Sequence, residues 1–140
     1  MDEVSEIKYH FPVKQAVYWA EMDAFNHINN VSYFRYFETG RINFFHHTGI
    51  WKLFETEGIR IVVGKMECNY LREVTYPAEI EIAVGIRRVG NSSLVMHQKV
   101  LTADKGIVAH GDAVIVGTDP KTGKSTPWTE KLREEFKKWM

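Results

Sequence analysis

Apolar positions along this chain recur first with the period of a strand, then with that of a helix, then again with that of strands. Residues 13–19, opening after Pro12, read as a first strand. From near Asn30 to Thr48 the apolar residues follow helical spacing, and Gly49 comes next, a residue that readily takes the left-handed conformation that closes a helix. Projected at about 100° per residue, Val31, Tyr33, Phe34, Phe37, Ile42, Phe44 and Phe45 cover roughly half of that helix. Ser32, Arg35, Thr39, Asn43 and His46 take the other half. An arc this wide predicts a helix gripped by a curved sheet. Gly40 in its middle costs about 1 kcal/mol against Ala and predicts a close backbone approach. Glu38 and Arg41 fall inside the apolar arc, where an unpaired charge is expensive, so they are expected to pair with each other or to face a ligand.

After Gly58, residues 59–72 are rich in β-branched side chains but shift their alternation around Gly64, which predicts one long strand with a bulge or a bend. Residues 79–87 alternate most clearly: Ile80, Ile82, Val84 and Ile86 take one face. Turns at residues 89–92 and 103–106 lead into strands over 94–102 and 107–118, two consecutive hairpins. Trp128, Leu132, Phe136 and Trp139 then recur at helical spacing, and a helix packing on its own domain is the reading preferred over a membrane contact. Strands grouped after one long helix argue for an α+β class, an antiparallel sheet of about five strands with the helix on one face. Such a sheet leaves an edge to be managed, and pairing with a second copy predicts a homodimer.

The 140 residues fit one domain spanning the whole chain. With 18 basic against 18 acidic side chains there is no global field to draw nucleic acid or an anionic membrane. No charged-then-apolar leader and no run of about 20 apolar residues is seen, so the expectation is a soluble, cytoplasmic protein. Cys68 is the sole cysteine and reads as a small buried residue rather than a nucleophile. His10, His46, His47, His97 and His110 show no ligand spacing, so no metal site is expected. Glycine-rich phosphate loops are also missing, which disfavours nucleoside triphosphates and dinucleotides as cofactors.

The chemistry concentrates in EMDAFNHINNVSYFRYFETGR, residues 21–41, which sets acids, an imidazole and two amides directly before the aromatic helix. Asn29 or Asn30 suits its N-cap. Helix starts present free N–H groups and the positive end of the helix dipole, a place where a negative oxygen is favoured. Asp23 is either a nucleophile or general base, or a turn-capping loop residue. His27 either holds the loop or orients water. Glu38 is either half of an ion pair with Arg41 or a second acid facing the site.

The order strand, D-x-x-x-H-x-N-N, Y-F-x-Y-F-E-x-x-R helix, antiparallel strands resembles the hotdog-fold acyl-CoA thioesterases of the 4-hydroxybenzoyl-CoA thioesterase type, and within them the fatty acyl branch. It rests on Asp23, His27, Asn29, Asn30, Tyr33, Phe37, Glu38 and Arg41. The resemblance implies one sheet wrapped around the long helix, and hydrolysis of a CoA or acyl-carrier-protein thioester without a cofactor. It also implies a homodimer or tetramer with active sites across the dimer interface. It implies Asp23 as the attacking or water-activating acid, the Asn30 backbone N–H as oxyanion donor, and catalytic support from His27 and Glu38. It implies substrate contacts at Asn29, Tyr33, Val63, Gly64, Arg87 and Arg88, the last two displaced from the hairpin at residues 89–92 onto its leading strand. Two other readings stay open: an enoyl thioester hydratase or dehydratase, whose histidine stands one residue further from the acid, and a hotdog module that binds acyl thioesters without turning them over.

Overall fold

The computed structural model describes residues 7–140. In chain order the elements are β1 (His10–Ala16), a 3-10 turn (Trp19–Glu21), α1 (Ser32–Thr48), α2 (Ile50–Thr56), β2 (Arg60–Met66), β3 (Asn69–Tyr70), β4 (Glu79–Val89), β5 (Ser93–Thr102), β6 (Gly106–Thr118) and α3 (Glu130–Lys138). The sheet runs β1-β4-β5-β6-β2, with β3 also on β6, and every pairing is antiparallel. This is the α+β class that the grouping of strands predicts.

The strand period of two explains the core. Ile80, Ile82, Val84 and Ile86 of β4 and Leu94, Met96 and Val100 of β5 are all buried together with Tyr33, Tyr36, Phe37, Phe44 and Phe45 of α1. The expected close approach is at Gly40, where an added Cβ would stand 2.6 Å from Val84 Cγ2 and 2.7 Å from Ile82 Cγ2. Val31 and Ile42, placed in the buried arc by projection, are instead 61% and 39% exposed. Val31 stands ahead of the regular helix, and the gripped side is centred on Phe37, Gly40 and Phe44. The C-terminal stripe packs inward: Trp128, Leu132 and Phe136 are buried, with the Trp128 ring 6.0 Å from that of Phe54. Thr129 caps α3 by accepting from the Leu132 N–H at 3.4 Å. Among the described residues no helix is long and apolar enough to cross a membrane.

Several expectations need correction. The first strand lies three residues earlier than its pattern, because its pairing with β4 continues past Pro12 to His10 through a register shift. Phe11 there holds a positive φ of 53°, and its carbonyl accepts from Asn43 Nδ2 at 2.8 Å. An edge strand tolerates the missing N–H of proline. Residues 59–72 form two strands; the bulge falls between Val63 and Lys65 as expected, but the chain then leaves the ladder before β3. The short helix α2 has no counterpart in the sequence reading. Glu38 and Arg41 form no ion pair within 4.0 Å among the described residues: Glu38 faces solvent, whereas Arg41 turns into the core and gives Nη1 to Gln98 Oε1.

Candidate active site

The site is built at the junction of β1, the start of α1 and the segment after β3. Loop 23–27 closes on itself: the Asp23 N–H donates to His27 O at 2.8 Å and the Asn26 N–H to Asp23 O at 3.1 Å. Asn26 sits at φ 61°, a left-handed conformation that Asn tolerates better than most side chains. Asp23 Oδ1 accepts from the Phe25 N–H at 2.9 Å and the His27 N–H at 3.1 Å. The turn-capping role is therefore real, and it uses one carboxylate oxygen; among the described residues Oδ2 has no hydrogen-bond partner.

The entry to α1 is held as tightly. The Asn29 N–H donates to Glu21 O at 2.8 Å, and the Ser32 N–H donates to Asn29 O at 2.9 Å. Neither amide offered by the sequence is the N-cap, which is Val31 with no side-chain cap; Asn29 Oδ1 instead closes the turn just ahead of the helix by accepting from the Val31 N–H at 3.0 Å. The regular helix begins at Ser32, two residues beyond the position that its pattern predicts. The Asn30 N–H has no acceptor among the described residues, while the Asn30 carbonyl accepts from the Tyr70 hydroxyl at 2.9 Å.

These groups open onto one cleft of about 510 Å³, lined by Asp23, His27, Ile28, Asn30, Tyr33, Tyr70, Leu71, Arg72 and Glu73. The volume lies within the range of small-molecule sites, about 300–1,000 Å³. Burial pushes the Tyr33 hydroxyl up to about 12, so it stays a proton donor at neutral pH. His27 Nε2 stands 3.2 Å from Glu73 Oε2.

Of the residues that the sequence singles out, Asp23, His27, Asn30 and Tyr33 meet on this cleft, with Asn29 bonded just behind it. The others do not join them within one chain. Glu38 and Val63 border a separate hollow of about 190 Å³ beside Arg41 and Ile42, and Gly64 lies at the bulge of β2. Arg87 donates from Nε to Asp112 Oδ1 at 3.1 Å, and His97 Nδ1 is 2.7 Å from the same oxygen. Arg88 is exposed on β4. Burial holds His97 below the usual imidazole range, with Asp112 opposing the shift. Tyr70, Leu71, Arg72 and Glu73 escape sequence reasoning because pairing brings them in. The Leu71 and Arg72 N–H groups both donate to Val108 O, and the Ile28 N–H donates to Val74 O. Among the described residues no cluster of His, Cys, Asp and Glu is arranged to hold a metal ion.

An antiparallel sheet wrapped on one helix is the hotdog architecture. The chain belongs to the thioesterase-like superfamily, whose family model matches residues 17–136, and it is an enzyme with thioesterase activity. It is 34% identical over 121 residues to the Bacillus subtilis protein YsmA, covering 86% of this chain and 81% of that one. It is 25% identical over 130 residues to the acyl-CoA thioester hydrolase YbgC of Escherichia coli O157:H7, covering 92% and 96%. A thioesterase from Thermus thermophilus, solved with coenzyme A and zinc, superposes with a TM-score of 0.76 at 30% identity, over 89% of this chain and 95% of that one.

Proposed function

We propose that this enzyme hydrolyses an acyl-CoA thioester carrying a fatty or other hydrophobic acyl group to the free acid and CoA. The observation that carries this reading is the convergence of the Asp23 carboxylate and the open Asn30 N–H on one cleft. The likeness to YbgC and to a thioesterase that binds coenzyme A supports CoA as the carrier.

Asp23 attacks the thioester carbon directly or takes the proton of an attacking water. Electron density moves to the carbonyl oxygen, where the Asn30 N–H, at the positive end of α1, receives it. As the carbonyl re-forms, the C–S bond breaks and the CoA thiolate leaves to be protonated from water. On the direct route an acyl–Asp23 anhydride remains, and water then adds to its acyl carbon and breaks the C–O bond to Asp23, freeing the acid and the carboxylate; on either route one water is consumed, with no change of oxidation state. His27, held beside Glu73, orients that water. Ile28, Tyr33, Tyr70 and Leu71 give the acyl group an apolar wall. Arg87 is engaged by Asp112, whereas Arg72 on the cleft wall has no ion-pair partner among the described residues and suits the phosphates of CoA.

The same reading makes the enzyme a dimer through β2, an edge strand whose Val62 and Val63 are 44% and 49% exposed. In that assembly Glu38, Val63 and Gly64 reach the thioester held by the second copy.

The test is thiol release from a panel of acyl-CoAs of graded length and aromatic character. Turnover is expected for hydrophobic acyl groups, with Asp23→Asn close to inactive and Asn30→Ala much less affected, since its donor is backbone. If no substrate exceeds the Asp23→Asn control, the acyl-CoA reading is wrong; if the two variants exchange their effects, the roles are.

A further inference from the structure

The two peptide units that lead into α1 carry four hydrogen-bonding groups, and three are already engaged. In the first, between residues 29 and 30, the carbonyl of Asn29 accepts from the Ser32 N–H at 2.9 Å. In the second, between residues 30 and 31, the N–H donates to Asn29 Oδ1 at 3.0 Å and the carbonyl accepts from the Tyr70 hydroxyl at 2.9 Å. Only the Asn30 N–H is left, and Asn30 lines the cleft that holds Asp23.

Tyr70 reaches this point from a different element. Its strand is fixed to β6 by the pairs Asn69↔His110 and Tyr70↔Ala109, and its ring lies edge-on to Tyr33 of α1 with centroids 5.4 Å apart. Burial raises the Tyr70 hydroxyl to about 12, so it remains a donor. A simple tie between strand and helix would need only one bond. Here the peptide after Asn30 is gripped from both sides, which stops it from rocking and so fixes the direction of the preceding N–H. An oxyanion donor stabilises a transition state most when its direction is set before reaction.

We propose that Tyr70 is a positioning residue, which together with the Asn29 side chain presets the Asn30 N–H as oxyanion donor. This rests on the thioester-hydrolysis reading above.

Full loss of an oxyanion donor costs about 10²–10³-fold in kcat, so a donor that is loosened but kept is expected to cost about 10-fold in Tyr70→Phe, with KM changed less than about twofold. Asn29→Ala loosens the same peptide from its other side and should lower kcat alike, and Asn29→Ser, whose hydroxyl can still accept the N–H, should recover part of it. The Tyr70→Phe/Asn29→Ala double variant should lose far less than the product of the single losses, because both act through one peptide. A lowered Tm with unchanged kcat in Tyr70→Phe would reduce the contact to a structural tie and overturn the proposal, as would losses that multiply. If Tyr70→Phe does not fold, the Asn29→Ala loss and Asn29→Ser recovery decide, and no recovery counts against it. Wild-type and Asp23→Asn enzymes assayed alongside separate the two claims: no wild-type turnover above the uncatalysed rate overturns the hydrolytic reading, while an active wild type with a fully active Tyr70→Phe overturns only the clamp.

Discussion

Arg41 is turned inward by α1 and is 4% exposed, with Gln98 Oε1 as its hydrogen-bonding oxygen and Met66 Sδ at 4.0 Å. Burial pulls its guanidinium down to about 10, against the pull of the Glu38 carboxylate, so it is still charged at neutral pH. A buried cation with one neutral oxygen partner is costly to disturb: Gln98→Leu is expected to destabilise the fold by about 3 kcal/mol. Adding Arg41→Met should restore most of that loss, because the orphaned charge goes with it. Urea unfolding of the single and double variants measures both, and a single-variant loss under about 1 kcal/mol would mean that water reaches the guanidinium. Helical spacing pointed Arg41 at Glu38, three residues away; its actual partner is 57 residues off and is visible only once β5 lies under the helix. The same divide runs through the candidate site. Asp23, His27, Asn30 and Tyr33 were legible because one short stretch of chain carries them, whereas Tyr70 and Glu73 arrive through pairing of distant segments.

The α1–β4 contact shows how far a periodic pattern reaches at the level of elements. Gly40 was expected to allow a close approach, and the methyl groups of Val84 and Ile82 occupy the place where a Cβ would stand. Replacing Gly40 by Ala adds about 1 kcal/mol of helix propensity but forces an overpacked contact costing about 1–3 kcal/mol, so the variant should be net destabilised. Thermal unfolding of Gly40→Ala checks the sign, and a raised Tm would mean that β4 yields easily. The meander β4-β5-β6 was read nearly to its ends, since alternation and turns agree there. β1 was misread where a bulge at Phe11 breaks the alternation, whereas the bulge at Gly64 was expected and only the end of β2 at Met66, ahead of β3, was missed. A bulge keeps the residues of a strand but changes their faces, so pattern alone sees the disturbance and not where pairing stops.

Among the described residues the strand path of the whole molecule ends in two edge strands, and they differ. β1 carries Pro12 and the left-handed Phe11, both of which spoil a regular ladder, while β2 offers Val62 and Val63 beside the exposed Ile42 of α1. Edge-strand reasoning from the sequence could not choose between them; the backbone favours β2 as the edge that a second copy covers. On this reading the protein should sediment at about twice its 16.3 kDa chain mass at micromolar concentration. Val63→Lys places a charge on the proposed seam at a position where a surface substitution costs the single chain no more than about 0.5 kcal/mol. It should sediment near the mass of one chain and lose most turnover, since Glu38, Val63 and Gly64 can then no longer complete the partner's cleft. Lys14→Glu on β1 should change neither property. A monomeric wild type would remove the dimer altogether, and a monomeric Val63→Lys with full turnover would leave the dimer but show that each cleft works alone.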